Sequence, residues 1–134
     1  MSEDIKAKLA EALARREQRE ATAALDIQAR QLNALEVEER YSETLGPRGR
    51  DWDLVSTIEG VVVLKVGPAV LFKRLRDGKA SLDDLQAFVA GCLISPDAAT
   101  FASWVERRAG ILVRCSDALV QLYLGAEDAE RGKS

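Results

Sequence analysis

The stretch that decides the predicted fold is residues 81–125, SLDDLQAFVAGCLISPDAATFASWVERRAGILVRCSDALVQLYLG. Ser81 followed by Asp84 is a carboxylate variant of the capping box, which begins a helix. The apolar residues that follow are spaced as on one helical face, and Ser95-Pro96 ends this helix and caps the next one. That face consists of Leu82, Leu85, Phe88, Val89, Cys92 and Leu93.

Two further helices complete this block. The second is expected to end at Ala109-Gly110, and the last is expected over residues 111–124. Gly125 ends the last helix because glycine tolerates the left-handed conformation that is common at a helix C-terminus. The charged residues 126–134 are predicted to form a flexible tail.

The amino-terminal residues differ in composition from the rest of the chain. Between Ser2 and Leu45 there is no glycine or proline and strong helix formers dominate, which predicts a helical arm over residues 1–45. Its large apolar residues are few, and the polar run at residues 15–20 interrupts them. The main ones are Ile5, Leu9, Leu13, Leu25, Leu32 and Leu35. Two interpretations stay open: pairing with another copy or another protein through residues 5–45, or a solvated helix whose second half packs on its own domain.

Between the arm and the helical block the sequence predicts a β-hairpin. Residues 46–51, GPRGRD, form a turn-rich hinge and the expected domain boundary. Residues 52–58 and 61–66 are two runs rich in β-branched residues, and Glu59-Gly60 separates them. Because two strands alone are marginally stable, helices are expected to cover one face of the hairpin.

The predicted fold class is α+β and mainly helical. Gly67-Pro68 begins a short helix over about residues 69–76, so the hairpin is followed by four helices in a compact C-terminal part. The expected organisation is a helical arm (1–45), a hairpin-plus-helices domain (46–125) and a flexible tail (126–134).

Composition argues against an enzyme. The 134 residues include no histidine, which removes the commonest general base and the commonest neutral metal ligand. Asp83-Asp84 and Asp97 fall in the first turns of helices, where capping explains them better than catalysis. Cys92 and Cys115 belong to no CxxC pair and lie among apolar residues, so both are interpreted as buried core thiols. We expect no catalytic residue, no cofactor and no metal.

Composition also limits the classes of partner that we expect. A net charge of −3 and a pI near 5.1 lack the basic excess of a protein that coats nucleic acid. No apolar run approaches the roughly 20 residues that a membrane span needs. The acidic start, Met1-Ser2-Glu3-Asp4, precedes no apolar stretch, so we expect no signal peptide and a cytoplasmic protein. These exclusions favour a protein that works by binding another protein.

The candidate partner-binding surface is the apolar face of the helical block, with a positive patch beside it. Its members are Leu85, Phe88, Val89, Phe101, Trp104 and Val105, with Lys73 and Arg76 as positive residues. The competing interpretation of the apolar members is that they form the core, since large apolar side chains mostly lie inside proteins. The competing interpretation of the positive residues is a solvated surface.

The order of elements resembles that of a known family. Residues 46–52 (GPRGRDW), 60–65 (GVVVLK) and 92–97 (CLISPD), followed by Phe101 and a closing helix to Leu124-Gly125, resemble the tail assembly chaperones of tailed bacteriophages and their prophages. The resemblance covers residues 46–125. It implies a small, mostly helical protein that is not an enzyme.

The resemblance also implies partners. Members of that family bind the long helical tape-measure protein, keep it soluble and help to recruit tail-tube subunits before they leave the finished particle. The candidate surface is then the expected groove for the tape-measure helix, in the cytoplasm of the host cell. The alternative function is a small adaptor or regulatory protein that dimerises through its N-terminal helix.

Overall fold

The chain folds as a mainly helical α+β protein, as predicted. A computed structural model describes residues 2–67, 72–73 and 81–131, the last six of them by backbone alone. The elements are α1 (Glu3–Leu45), β1 (Trp52–Ser56), β2 (Val61–Lys65), α2 (Leu82–Cys92), β3 (Leu93–Ser95), α3 (Ala98–Arg107) and α4 (Gly110–Arg131). The short helix predicted over residues 69–76 lies mostly outside the described residues, of which Phe72 and Lys73 are helical.

The predicted hairpin is confirmed, and a third strand joins it. β1 and β2 pair antiparallel from Trp52 opposite Lys65 to Ser56 opposite Val61. β3 adds to the other side of β2, so the strand order is β1-β2-β3. The apolar spacing predicts Leu93 on the helix; instead the helix ends at Cys92, because residues 93–95 pair with β2 and gain backbone partners there.

Helices cover both faces of this sheet, where the sequence predicted cover on one. Side chains alternate along β1: Trp52 and Leu54 face α1, and Val55 faces the C-terminal helices. In β2, Val63 belongs to the α1 side and Leu64 to the other side. A strand with both faces covered has a continuous apolar sequence, which explains the VVVL run of residues 61–64.

The larger core lies between the sheet and the C-terminal helices. Tyr123 organises one end of it: its ring stacks on Phe72 with centroids 4.6 Å apart, and its hydroxyl accepts a hydrogen bond from the Gly67 N–H at 2.9 Å. Cys92 and Cys115 are both buried there and unpaired with each other, as predicted. The other buried members are Val55, Val62, Leu64, Phe88, Val89, Phe101, Ile111, Leu112, Leu119 and Leu122.

Local capping chemistry fixes the helix starts. The capping box of α2 is confirmed, with Ser81 Oγ accepting from Asp84 N–H and the Asp84 carboxylate accepting from Ser81 N–H. The N-cap of α3 is Asp97 rather than Ser95-Pro96, and its carboxylate accepts from the Thr100 N–H at 2.7 Å. That hydrogen bond, more than any other cause, lowers the pKa of Asp97.

Gly125 does not end the last helix, which continues to Arg131. A glycine inside a helix costs only about 1 kcal/mol relative to alanine. Five of the six residues after it are alanine, glutamate or arginine, all strong helix formers, so the helix continues through Gly125.

Only the end of α1 packs on the sheet. Ala34, Val37, Tyr41 and Leu45 contact a small buried cluster made by Trp52, Leu54 and Val63. We call residues 34–45 the packed segment. Its 12 residues rise about 18 Å at 1.5 Å each, close to the roughly 17 Å of the five-residue strand β1. The boundary between packed and unpacked chain therefore lies inside α1, and not at the turn of residues 46–51.

The outer edge of β1 is closed by nearby groups. The Arg48 guanidinium donates to the Leu54 carbonyl at 3.3 Å, and the Asp53 carboxylate accepts from the Leu54 N–H at 2.7 Å. The Trp52 carbonyl accepts from the Gly49 N–H at 2.8 Å. Since these groups already have partners, this edge is poorly suited to adding another strand.

Candidate functional site

The first 31 residues of α1 have no side chain buried in the described part of the protein. Residues 3–33, which we call the exposed segment, are exposed at every position and extend about 46 Å as a helix. Ser2 caps it, and Glu3 and Asp4 lie in its first turn, where negative charge is favoured. A helix of this length without tertiary packing normally gains a partner, because propensity alone gives little stability.

Large apolar side chains are exposed along this helix. Their exposed fractions range from 44% for Leu13 to 65% for Leu25. The set in α1 comprises Ile5, Leu9, Leu13, Leu25, Ile27, Leu32 and Leu35. Seven such residues on one element are more than the isolated apolar side chains that most surfaces carry.

These side chains form two stripes. At about 100° per residue, Ile5, Leu9, Leu13 and Ile27 share the face that carries Tyr41 in the packed segment. This first stripe continues the sheet-contacting face of α1 beyond the end of the sheet. The second stripe, Leu25, Leu32 and Leu35, lies about a third of a turn away.

The first stripe has a polar centre. Arg16 and Glu20 lie on the same face, between Leu13 and Ile27, and their side chains are 3.4 Å apart within the helix. Along the helix axis the first stripe is therefore apolar at both ends and charged in the middle. Both charged side chains are largely exposed, so they are available to a partner.

A cleft marks the junction between the exposed segment and the sheet. It encloses about 480 Å³ and combines apolar with charged walls. Arg48 is one of its lining residues, and its guanidinium also contacts Glu38 at 3.8 Å and Asp53 at 2.6 Å. The lining residues are Ile27, Arg30, Gln31, Ala34, Leu35, Glu38, Arg48 and Ser56.

The predicted partner-binding face on α2 and α3 is only partly accessible. Phe88, Val89 and Phe101 are buried in the larger core, so their side chains are not accessible to a partner. The other three apolar candidates, Leu85, Trp104 and Val105, are partly buried against that core. The competing interpretation, that this face is core, holds for Phe88, Val89 and Phe101, whereas Leu85, Trp104 and Val105 pack on the core and keep part of their surface exposed.

Trp104 is held by the hairpin loop. The Trp104 ring fills the space beside Gly60. A Cβ placed on Gly60 would lie only 2.7 Å from Cη2 of the indole. Next to it, Glu59 accepts hydrogen bonds from Arg107 at 3.0 Å and from Arg108 at 3.3 Å. The hydrogen bond from Arg107 is the largest cause that lowers the pKa of Glu59. Trp104 is thus a structural contact between loop and helix rather than an open anchor.

The positive patch is only partly described. Lys73 is exposed, as an approaching acidic partner would require, and Arg76 lies outside the described residues.

The buried thiols are poorly suited to reaction. Burial raises the pKa of Cys115 to about 12, and burial also raises the pKa of Cys92. The Tyr123 hydroxyl, 3.9 Å from Cys92 Sγ, likewise has its pKa raised to about 12, mainly by burial. Nucleophilic chemistry needs the ionised group, so these side chains act as core residues.

The described residues hold little that points to another kind of site. They contain no cluster of three or more His, Cys, Asp or Glu side chains that could hold a metal ion. None of the helices described combines the length and the apolar composition needed to cross a bilayer. No protein-family model, curated protein or solved structure significantly matches the chain.

The sequence predicts the helical arm, whereas the predicted binding face lies on α2 and α3. The signal that identifies the exposed segment is its spacing: Ile5, Leu9 and Leu13 repeat every four residues without any other apolar side chain to enclose them. Ile27 is missing from the apolar residues that the sequence pattern singles out in the arm. It lies on the same helical face as Ile5, 22 residues or about six helical turns later.

Proposed function

We propose that this protein binds a helical segment of another protein along the exposed segment of α1, and that it is not an enzyme. The observation that carries the proposal is the first stripe, which continues the sheet-contacting face of α1 but is exposed throughout. An amphipathic partner helix that laid its apolar face on Ile5, Leu9 and Ile27 would bury the apolar surface that this helix leaves in water.

The structure favours a helical partner over an extended one. Strand addition needs a free sheet edge, and the outward groups of Leu54 on β1 are already bonded to Arg48 and Asp53. β3 is only three residues long and its pairing with β2 is irregular. A partner helix, by contrast, matches both the length and the periodicity of the exposed segment.

The cleft extends this surface toward the body of the protein. A large apolar side chain near the end of a partner helix would enter it against Ile27 and Leu35, beside the charges of Arg30 and Glu38. Such a pocket next to an apolar stripe provides an anchor point, which sets the register of a bound helix.

The tail assembly chaperone function fits this surface. A tape-measure protein is a long helical client, and an exposed apolar helix with many charged flanking residues can protect such a client while staying dissolved. In this proposal the client contacts residues 3–35, and not the partly buried face of α2 and α3. Recruitment of tail-tube subunits and action in the host cytoplasm remain predictions of the resemblance.

Co-expression tests the proposal. The tape-measure protein of the same genome is produced with the intact chain, with a Leu9→Gln/Ile27→Gln variant, or alone. We expect a soluble complex with the intact chain and at least a tenfold smaller yield of complex with the variant. A Leu82→Gln variant is the control, because Leu82 is also exposed, at 72% against 51% for Leu9 and 49% for Ile27, but lies on α2, far along the chain from the stripe. A client that is equally soluble alone, with no complex formed, would show the proposal to be wrong.

A further inference from the structure

We infer that the first stripe of α1 also binds a second copy of this chain, with the two exposed segments antiparallel and related by a twofold axis level with Gln18. This inference goes beyond the proposed function and does not depend on it, since the purified chain alone tests it. It rests on the pattern of side chains along the exposed segment.

The level of the axis follows from the exposed segment itself. Gln18 is midway between residues 3 and 33, so an antiparallel pair centred there overlaps exposed segment with exposed segment over the whole length. The packed segments and the sheets of the two copies then lie at opposite ends of the pair. The bodies therefore do not compete for the space that the pair occupies.

Three of the four large apolar residues of the stripe meet an apolar residue under this symmetry, and the fourth, Ile5, comes opposite Gln31. Leu9 of one copy comes opposite Ile27 of the other, and Leu13 comes opposite Ala23, each pair occurring twice because the interface is isologous. All of these positions belong to the same helical face. The small Ala23 leaves room for Leu13, which allows the helices to approach closely.

The charged centre selects the antiparallel orientation. With the axis level with Gln18, Arg16 of each copy comes opposite Glu20 of the other, so both charges gain an opposite partner across the interface. A parallel, in-register pair would instead place Arg16 against Arg16 and Glu20 against Glu20, which is unfavourable. Within one chain the two side chains already lie 3.4 Å apart, so they form a square of alternating charges in the dimer.

The margins of the stripe are less favourable than its centre. Lys8 of one copy approaches Asp26 of the other, which is attractive, whereas Arg15 approaches Arg19, which is repulsive. Next to the axis, Glu17 and Arg19 each approach their own counterparts in the other copy, which is also repulsive. With few large apolar residues in each copy, the expected affinity is modest, with a dissociation constant on the order of 10 µM. A dimer of this strength covers the stripe in the free protein and yields it to a tighter helical client.

Charge reversal tests the arrangement on the full-length chain by sedimentation equilibrium. The wild-type chain is expected to reach a dimer, and no higher species, as its concentration rises through about 10 µM. Arg16→Glu alone and Glu20→Arg alone should each raise the dissociation constant at least tenfold, because each places like charges opposite one another. The double variant Arg16→Glu/Glu20→Arg restores both opposite-charge pairs and should return the constant to within about threefold of wild type.

Disulfide trapping gives the orientation independently. Leu13→Cys mixed with Ala23→Cys should form a cross-linked dimer under mild oxidation, whereas each variant alone should not, because like positions lie about 15 Å apart. The native thiols do not interfere, since Cys92 and Cys115 are buried. A chain that stays monomeric at 1 mM would overturn the inference, as would a double charge reversal that fails to restore dimers. Efficient cross-linking of Leu13→Cys with itself would also overturn it, by indicating a parallel pair.

Discussion

The two parts of α1 have the same secondary structure but different surroundings. In the packed segment, Tyr41 contacts the ring of Trp52 at a centroid distance of 6.2 Å, and the helix end is fixed where the Trp52 indole donates to the Gly46 carbonyl at 2.8 Å. In the exposed segment, side chains on the same helical face contact nothing buried. Helix propensity is similar in both parts, so the difference comes from the length of the sheet beneath.

The two segments of this continuous helix therefore contribute differently to stability and to binding. The packed segment stabilises the fold by closing one face of the sheet. The exposed segment adds little to the stability of the fold, and its apolar surface is available for binding. Mutations in the two segments should therefore separate stability from association.

The largest expected loss of stability comes from removing Trp52, which lies at the centre of the contact between the packed segment and the sheet. Trp52 is fully buried, so Trp52→Ala leaves a cavity under Tyr41 and an unpaired Gly46 carbonyl, and should lower the free energy of unfolding by about 3–5 kcal/mol. Urea unfolding followed by far-ultraviolet circular dichroism measures it in all the variants. Leu25→Ala in the exposed segment is the control and should change stability by less than about 0.5 kcal/mol. Equal losses in both variants would contradict the division of α1 into two segments.

A medium effect is expected in the hairpin loop. Gly60 has φ 153° and faces the Trp104 ring, so Gly60→Ala adds both backbone strain and a clash, and should cost about 2–3 kcal/mol. Gly49→Ala is the matched control, because Gly49 has φ 94° but open space around it, and strain alone should cost about 1 kcal/mol. Thermal unfolding by circular dichroism distinguishes the two, and a Gly60 variant no less stable than the Gly49 variant would contradict the contact with Trp104.

The smallest effect is a pH dependence. The pKa of Glu59 is lowered from 4.5 in the folded protein, chiefly by its hydrogen bond from Arg107. A lowered folded-state pKa means that the stabilisation is present above pH 4.5 and is lost as the pH falls through the folded-state pKa. Glu59→Gln should therefore be slightly less stable than wild type at pH 7 and should lose less stability between pH 5 and pH 3. Parallel stability curves for the two proteins over that range would rule out this role.

The sequence predicted those parts of the fold that depend on local chemistry. The capping box at Ser81, the hairpin and the burial of Cys92 and Cys115 follow from short-range patterns, and all three are confirmed. A long N-terminal helix was equally predictable from the absence of glycine and proline.

The features that were missed depend on contacts between distant residues. β3 is three residues long and is stabilised by pairing with β2, about 30 residues earlier, so no local pattern identifies it. The cover of the sheet's second face comes from residues 34–45, before the hairpin, and periodicity does not say which face a helix approaches. The same limit applied to the candidate site, because an apolar face at helical spacing is equally typical of a core and of a binding surface.

Because α1 is one unbroken helix, its contact with the sheet also determines the direction in which the first stripe faces. Tyr41 and Leu45 fix the rotation of the helix about its own axis, and each residue nearer the N-terminus is set by that rotation. Inserting 11 residues into the exposed segment, about three turns, would lengthen it by about 17 Å and turn the stripe by only about 20°. Inserting two residues would turn the distal part of the stripe by about 160°, to the opposite side of the helix. Insertions of about three helical turns can therefore lengthen the exposed segment without changing the direction in which its first stripe faces a partner.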